Sequence, residues 1–370
     1  THGLKLDLEW SQAWQAMLKG VGHDNPAYGG KLDALITYDL SKIGLWKGIS
    51  VTAQPMYNYG YFLNGAGNTL TPIYDGAIYP GADGADRADL MSLYFTQKFD
   101  NGVTFTIGKI NLIEGARGYP IRGGAGIDAF WNCNLSTTIT GLASPAILGA
   151  TLVVPVGSWT FGINVYDARD AMNENLIKNA FSEGITFMNT ATLKTEIGGH
   201  TGYYGVRGIY TTESSFDLND FEYIFLPPNY PDKPGTTEGD WLFSAQFEQY
   251  VVGGPGEKAP AWGVFSEVVV VDGNPLPFQF SWQVGISGNG LFKSRPQDRW
   301  GIAAFGFNLS DVLKDTFQPL NGFNNEHGLE AFYNWSVTPW MRITADMQII
   351  DPSYSKQGAI FAGLHTNVRF

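Results

Sequence analysis

Between positions 112 and 146 the chain carries two arginines and a glutamate among small residues: Glu114-Gly115-Ala116-Arg117-Gly118-Tyr119-Pro120-Ile121-Arg122-Gly123-Gly124. A guanidinium only donates hydrogen bonds, and an ionised carboxylate only accepts them. Together they can hold the hydroxyls of a neutral polyol, and the small residues between them allow close approach to the backbone. The plainer reading makes Arg117 and Arg122 ordinary loop ion pairs. Arg87 lies between Asp86 and Asp89 at the end of another long loop. It is either a solvated charge or a second wall of the same site. The candidate substrate-binding residues are therefore Arg87, Glu114, Arg117 and Arg122. Tyr119, Phe130, Trp131 and Tyr166 have faces that could stack on a sugar ring, but packing of the loop is their expected role.

Nothing in the sequence points to catalysis. His2, His23, His200, His327 and His365 include no His-x-x-x-His pair, and no Gly-x-Ser-x-Gly elbow is present. Gly290-Leu291-Phe292-Lys293-Ser294 has the look of a phosphate loop but lacks its Gly-Lys pair. No catalytic residue, metal or cofactor is expected. Cys133 is the only cysteine, so no intrachain disulfide can form. A net charge of -12 argues against nucleic acid and against a polybasic membrane binder.

The elements that must position these residues follow a period of two. Met341, Ile343, Ala345, Met347 and Ile349 alternate with Arg342, Thr344, Asp346 and Gln348. The same holds for Leu4, Leu6, Leu8 and Trp10 against Lys5, Asp7 and Glu9, and for Leu32, Ala34, Ile36 and Tyr38 against Lys31, Asp33, Thr37 and Asp39. Such alternation puts two chemically different faces on one strand. Charged residues are 16% and aromatics 14%, while mean hydropathy is -0.10. A soluble domain would carry about a quarter charged residues, and a helical membrane protein would be far more apolar. No apolar run reaches the roughly 18 residues of a transmembrane helix. A membrane barrel lies between these limits, because only alternate residues meet lipid.

Sixteen strands are expected, near 3–10, 30–41, 48–60, 88–99, 103–111, 147–156, 159–169, 185–198, 201–213, 239–252, 260–271, 276–287, 298–309, 325–336, 339–351 and 359–370. Trp10, Trp159, Trp241, Trp335 and Trp340 cluster near strand ends, where interfacial girdles belong. Short turns (Lys42–Lys47, Asp100–Gly102, Val156–Ser158, Gly198–His200, Ser336–Pro339) alternate with long loops (11–29, 61–87, 112–146, 170–184, 214–238). With both termini periplasmic, the long loops are extracellular. Two connections run against this rhythm: Asp272–Pro275 is short for an outer loop, and Ser287–Gln297 is long for a periplasmic turn. Pro227-Pro228-Asn229-Tyr230-Pro231 reads as part of a loop and not as a domain boundary. The expectation is one all-β domain over 1–370, a transmembrane antiparallel β-barrel with loop 3 (112–146) folded into the pore. Lumen lining is expected of Lys109, and solvation in the lumen is expected of the many strand carboxylates. The N-terminus Thr1-His2-Gly3 has no basic and apolar leader and reads as mature. Phe370 closes the last alternating strand, which includes Leu364, Thr366 and Val368 on its outward face and Arg369 on the other. It reads as the feature an outer-membrane assembly machinery would recognise.

Several short motifs carry a resemblance. Gly290-Leu291-Phe292, Arg295-Pro296-Gln297-Asp298 and Gly301-Ile302-Ala303 are followed by Glu330-Ala331-Phe332-Tyr333, Thr338-Pro339-Trp340, Asp346-Met347-Gln348 and the closing Arg369-Phe370. Over about the last 85 residues this resembles the OprB family of carbohydrate-selective porins. Upstream, Gly108-Lys109 and Phe130-Trp131-Asn132 are similar more weakly. The resemblance implies a sixteen-stranded channel for small sugars, narrowed by loops two and three, with arginines and a glutamate touching the solute. The matching positions here are Arg87 in loop two and Glu114 with Arg117 in loop three, with Arg122 as a competing match.

The sequence thus leads to a passive channel in the bacterial outer membrane, selective for small sugars, with a monosaccharide such as glucose as the expected solute. Its partners would be outer-membrane lipid and a small-molecule sugar, with the chain a monomer or a homotrimer. Sugar acids, polyols and cyclic hydroxy acids are alternative solutes, since clustered arginines could favour an anion. A barrel enzyme or adhesin is the alternative of another class, and a soluble β-sandwich comes third.

Overall fold

The computed structural model describes residues 3–22, 25–77, 86–124, 127–138, 144–169, 177–220, 235–256, 260–317 and 323–370. Thr1, His2, His23 and the proline-rich segment 227–231 lie outside them. Sixteen strands appear among the described residues: β1 (Leu4–Lys19), β2 (Ala27–Asp39), β3 (Ile49–Gly60), β4 (Arg87–Lys98), β5 (Thr104–Asn111), β6 (Ala146–Val156), β7 (Trp159–Asp167), β8 (Ile185–Ile197), β9 (His200–Phe216), β10 (Thr236–Val252), β11 (Ala261–Val271), β12 (Phe278–Asn289), β13 (Arg299–Leu309), β14 (Glu326–Thr338), β15 (Met341–Asp351) and β16 (Ala359–Arg369). Each pairs with its sequence neighbours in antiparallel fashion, and β1 pairs with β16 to close the barrel. Closure satisfies every edge, which a spanning sheet in lipid requires.

The alternation read from the sequence is the in–out alternation of the wall. Leu4, Leu6, Leu8, Leu32, Phe95, Ile107, Met347, Ile349 and Leu364 are exposed outward. Trp159, Trp241, Trp335 and Trp340 are exposed as well, as rings at a membrane interface would be. The hairpins β6–β7, β8–β9 and β14–β15 at the periplasmic end are tight, each joined by two residues. Gly198 and Gly199 both adopt positive φ, the geometry that lets a two-residue turn match the twist of its strands.

Some expectations are corrected. Residues 11–19 are not loop but the upper half of β1, which pairs through Met17 with β16. Charges are absent from 11–18, but the alternation continues with Ser11, Ala13, Gln15 and Met17 inward. Its small inward residues make room for packed loops. The connections at 272–277 and 290–298 depart from the short–long rhythm, yet β11, β12 and β13 pair in continuous register on either side of them. Lys109 pairs opposite Leu93 and Leu148, on the outward face shared with Phe95 and Ile107. The register therefore turns it away from the lumen.

The interior is not an open tube. Loops 2 and 3 fold inward and bury an apolar core against one side of the wall: Phe130, Leu135, Ile121, Leu63 and Ile73 pack with Phe265, Phe305, Phe332 and Phe361. The Phe130 ring stands edge-on to Phe332 at 4.8 Å and to Phe265 at 5.6 Å. Each such buried ring contributes about 1.5–3 kcal/mol by leaving water, enough to hold loop backbone that would otherwise stay mobile.

Candidate functional site

Strand β5 ends at Asn111, whose side chain accepts the Ile113 N–H at 3.1 Å and so caps the short helix α1 (Leu112–Ala116). An asparagine in this role satisfies a free donor of the first turn. The cap turns the chain off the wall and into the lumen. Asn132 repeats the device, accepting the Asn134 N–H at 3.0 Å at the start of α2 (Cys133–Ser136).

Wall carboxylates fasten the inserted loops. Glu330 of β14 accepts the backbone N–H groups of Trp131 and Asn132, the latter at 3.0 Å. Glu326 accepts those of Leu70 and Thr71 in loop 2 at 2.8 and 2.9 Å. Glu248 of β10 accepts the Ile121 N–H at 2.6 Å. Glu267 of β11 accepts from the Thr138 hydroxyl at 2.6 Å, from Arg122 Nη1 at 2.9 Å and from Arg207 Nη2 at 2.7 Å. All four are buried. Strand carboxylates read from the sequence as solvated lumen are, at these four positions, loop anchors. A buried carboxylate is tolerated only when its lone pairs are filled, and loop N–H groups and guanidiniums fill them.

Among the described residues, three cavities border the inserted loop. One, of about 720 Å³, lies between loops 2 and 3 and the wall of β6–β9, and reaches Asn164, Thr190 and Arg207. A second, of about 310 Å³, lies toward the periplasmic mouth beside Glu9, Asp33, Gln54 and Arg369. A third, of about 380 Å³, lies against β8–β10 beside Thr192, Tyr203 and Gln246. The stretch from Leu112 to Pro120 contributes residues to all three: Gly115 and Tyr119 to the first, Glu114 and Arg117 to the second, Gly115, Gly118 and Tyr119 to the third.

The four candidates take different places. Arg117 and Glu114 form an ion pair at 3.2 Å, with side chains 27% and 29% exposed. Arg122 is instead withdrawn from the lumen. Its side chain is 2% exposed, it is paired with Glu267 at 2.9 Å and lies 3.8 Å from Glu248, and the Tyr119 ring covers it with 3.7 Å between guanidinium carbon and ring centre. Arg87 stands at the start of β4, its Nε 2.6 Å from Asp89. It is not among the residues lining the three cavities. Phe130, Trp131 and Tyr166 are buried.

The structure adds residues that the sequence did not single out. Glu9 of β1 takes Arg117 at 2.8 Å and Arg369 at 3.0 Å, and Arg369 continues to Asp128 of loop 3 at 3.2 Å. The result is a line of alternating charge from Glu114 to Asp128. Burial disfavours the charge on Arg117, but Glu9 and Glu114 outweigh it and hold its pKa above the ordinary guanidinium range. Burial also works against the Asp128 charge, and nearby Arg299 and Arg369 prevail, keeping that carboxyl below its usual range. Both groups stay ionised. The available signal was the alternation that put Glu9 and Arg369 on the polar face.

A family model described as "Carbohydrate-selective porin, OprB family" matches residues 23–370. Among solved structures, the high-pH structure of OprB from Pseudomonas putida superposes with a TM-score of 0.82 at 18% identity, covering 100% of this chain and 94% of that one. OccK8 (OprE) from Pseudomonas aeruginosa gives a TM-score of 0.54 at 11% identity, covering 99% and 98%. OmpT from Vibrio cholerae, in a form lacking loop L8, gives 0.54 at 11%, covering 99% of each. These likenesses show the fold. No individually curated protein matches the sequence.

Proposed function

This chain belongs to the OprB family of carbohydrate-selective porins, and on that premise we propose that it passes small neutral monosaccharides, such as glucose, through a neck made by Glu114 and Arg117. Membership makes the protein an integral β-barrel of the Gram-negative outer membrane and a sugar-selective channel. The choice of solute is the further step. The observation that carries it is the position of Leu112–Pro120, which borders each of the three cavities described above. A solute crossing between them passes the partly exposed Glu114 and Arg117.

The pairing of charges favours a neutral solute. Arg117, Arg122, Arg207 and Arg369 each have a carboxylate oxygen within 3.0 Å. Two unit charges about 4 Å apart attract by about 4 kcal/mol at an effective dielectric near 20, so a passing anion must compete with a carboxylate already in place. A hydroxyl asks for less, since guanidinium and carboxylate both retain spare hydrogen-bonding directions. Selectivity then arises from pore size and lining groups, with binding weak enough for release.

Swelling of proteoliposomes in glucose, maltose and gluconate tests the reading. Glucose should enter fastest. Equal rates for all three solutes would exclude selection at this neck, and faster gluconate would assign the channel to sugar acids.

A further inference from the structure

Inside the barrel, Gly205 of β9 lies between Thr192 of β8 and Gln246 of β10 in one cross-strand row. The next row toward the periplasm is Lys194, Tyr203 and Glu248. Side chains directly opposite one another share a face, and Thr192, Tyr203, Gly205, Gln246 and Glu248 all border the cavity of about 380 Å³. Gly205 has no side chain to fill its place in the wall. A Cβ built there would stand 3.3 Å from both Gln246 Nε2 and Thr192 Oγ1. That is tighter than an ordinary contact, so the amide and the hydroxyl close over the glycine and stand together on the wall of the hollow, which is the cavity itself. Arg122 Nη2 donates to Gln246 Oε1 at 3.4 Å, which leaves Nε2 to face the hollow. Tyr203 borders the cavity from the wall, and Gly118 and Tyr119 border it from loop 3.

We propose that the hollow at Gly205 is a second sugar subsite, separate from the Glu114–Arg117 neck, that takes a neutral pyranose-sized ring. It rests on the sugar-channel reading above. The cavity falls in the size range of small-molecule sites, about 300–1,000 Å³. Gln246 Nε2 donates to a ring or hydroxyl oxygen, Thr192 Oγ1 both donates and accepts, and the Tyr203 ring meets the C–H face of the sugar.

The test is glucose flux against concentration through the full-length protein in proteoliposomes. The unmodified channel is compared with Gly205→Leu, Tyr203→Ala, Thr192→Val and, as the neck control, Arg117→Ala. Gly205→Leu fills the hollow, Tyr203→Ala widens it, and Thr192→Val keeps its shape while removing the hydroxyl. All three should raise the half-saturation concentration for glucose, by about threefold to tenfold for the loss of an aromatic contact, although the first narrows the lumen and the second enlarges it. Saturable flux whose half-saturation moves only in Arg117→Ala overturns the subsite and leaves the neck standing. Linear, non-saturating glucose flux in the unmodified protein, no faster than that of gluconate, overturns the sugar reading and the subsite with it.

Discussion

Arg117 of loop 3 and Glu9 of β1, 108 positions apart, form a two-point ion pair, Nη2 to Oε1 at 2.8 Å and Nη1 to Oε2 at 3.2 Å. The same carboxylate takes Arg369 Nε at 3.0 Å. Glu9 is thus the counter-ion shared by the tip of an inserted loop and the last strand of the barrel. It fixes Arg117 in orientation while leaving part of the guanidinium open to the lumen.

Glu9→Gln removes that shared charge and leaves two guanidiniums at the neck with less compensation. The channel should become more permeable to anions, read as a shift of the reversal potential in a potassium chloride gradient. The cost in stability should be small, about 1 kcal/mol, because the pair is only partly buried. An unchanged reversal potential would mean that these charges do not face the permeation path.

Arg117→Ala and Arg122→Ala should separate cleanly. The first weakens sugar discrimination and leaves heat-modifiable mobility on gels intact. The second uncovers the buried Glu267 and Glu248 and should cost about 3–5 kcal/mol, lowering the temperature at which the folded band is lost. Equal thermal stability of the two variants would contradict the anchoring role of Arg122.

Glu330→Ala strips the acceptor from the Trp131 and Asn132 N–H groups. Two buried donors left without partners cost about 1–3 kcal/mol each. Loop 3 should become accessible to protease in the folded protein, and single-channel conductance should rise. Retained protease resistance with native conductance would show that the Phe130 core alone holds the loop.

The periplasmic turn carries its own pH dependence. Asp298 accepts from Arg295 at 2.8 and 2.9 Å, from the Tyr333 hydroxyl at 2.7 Å and from the Ser336 N–H at 2.9 Å. Burial works against its charge, but these bonds win and hold the carboxyl below its usual range. A group whose pKa is lowered by folding stabilises the fold above its unfolded value, about 3.9 for aspartate, and loses that contribution as pH falls through the folded value. The unmodified protein should therefore lose thermal stability on acidification below about pH 4, and Asp298→Asn should lose less over the same interval. Identical acid profiles would assign the acid step to other carboxylates.

Much of the wall was legible in the residues. Met341 to Ile349 alternate in sequence as they do in space, and the sixteen strands fall near their expected places. The upper half of β1 was missed because the charges that mark the polar face give way to Ser11, Ala13 and Gln15, which face packed loops and not water. Lys109 was misplaced because a single charged residue in a short strand gives no phase of its own. Its partners Leu93 and Leu148 set the phase.

The Arg-Pro-Gln-Asp run shows the opposite case. Arg295 and Asp298 lie three residues apart and pair within their own turn, so the motif carries its structural reason locally. The loop arginines do not. Arg117 and Arg122 are five residues apart in similar surroundings, yet one is partly exposed beside a cavity and the other is buried. Their partners, Glu9 and Glu267, come from strands far apart in the chain.

The sequence by itself determined the barrel, its number of strands, and the two faces of most strands, though not that of Lys109. A strand's two faces are set by neighbours along the chain, and lipid outside enforces a strict period of two. Only the tertiary structure decided which carboxylates hold loops, which of the two loop arginines is buried, and which wall residues gather around the cavity at Gly205. Those outcomes depend on how inserted loops meet strands across the barrel, and the free energy of such contacts is shared between residues that no local pattern connects.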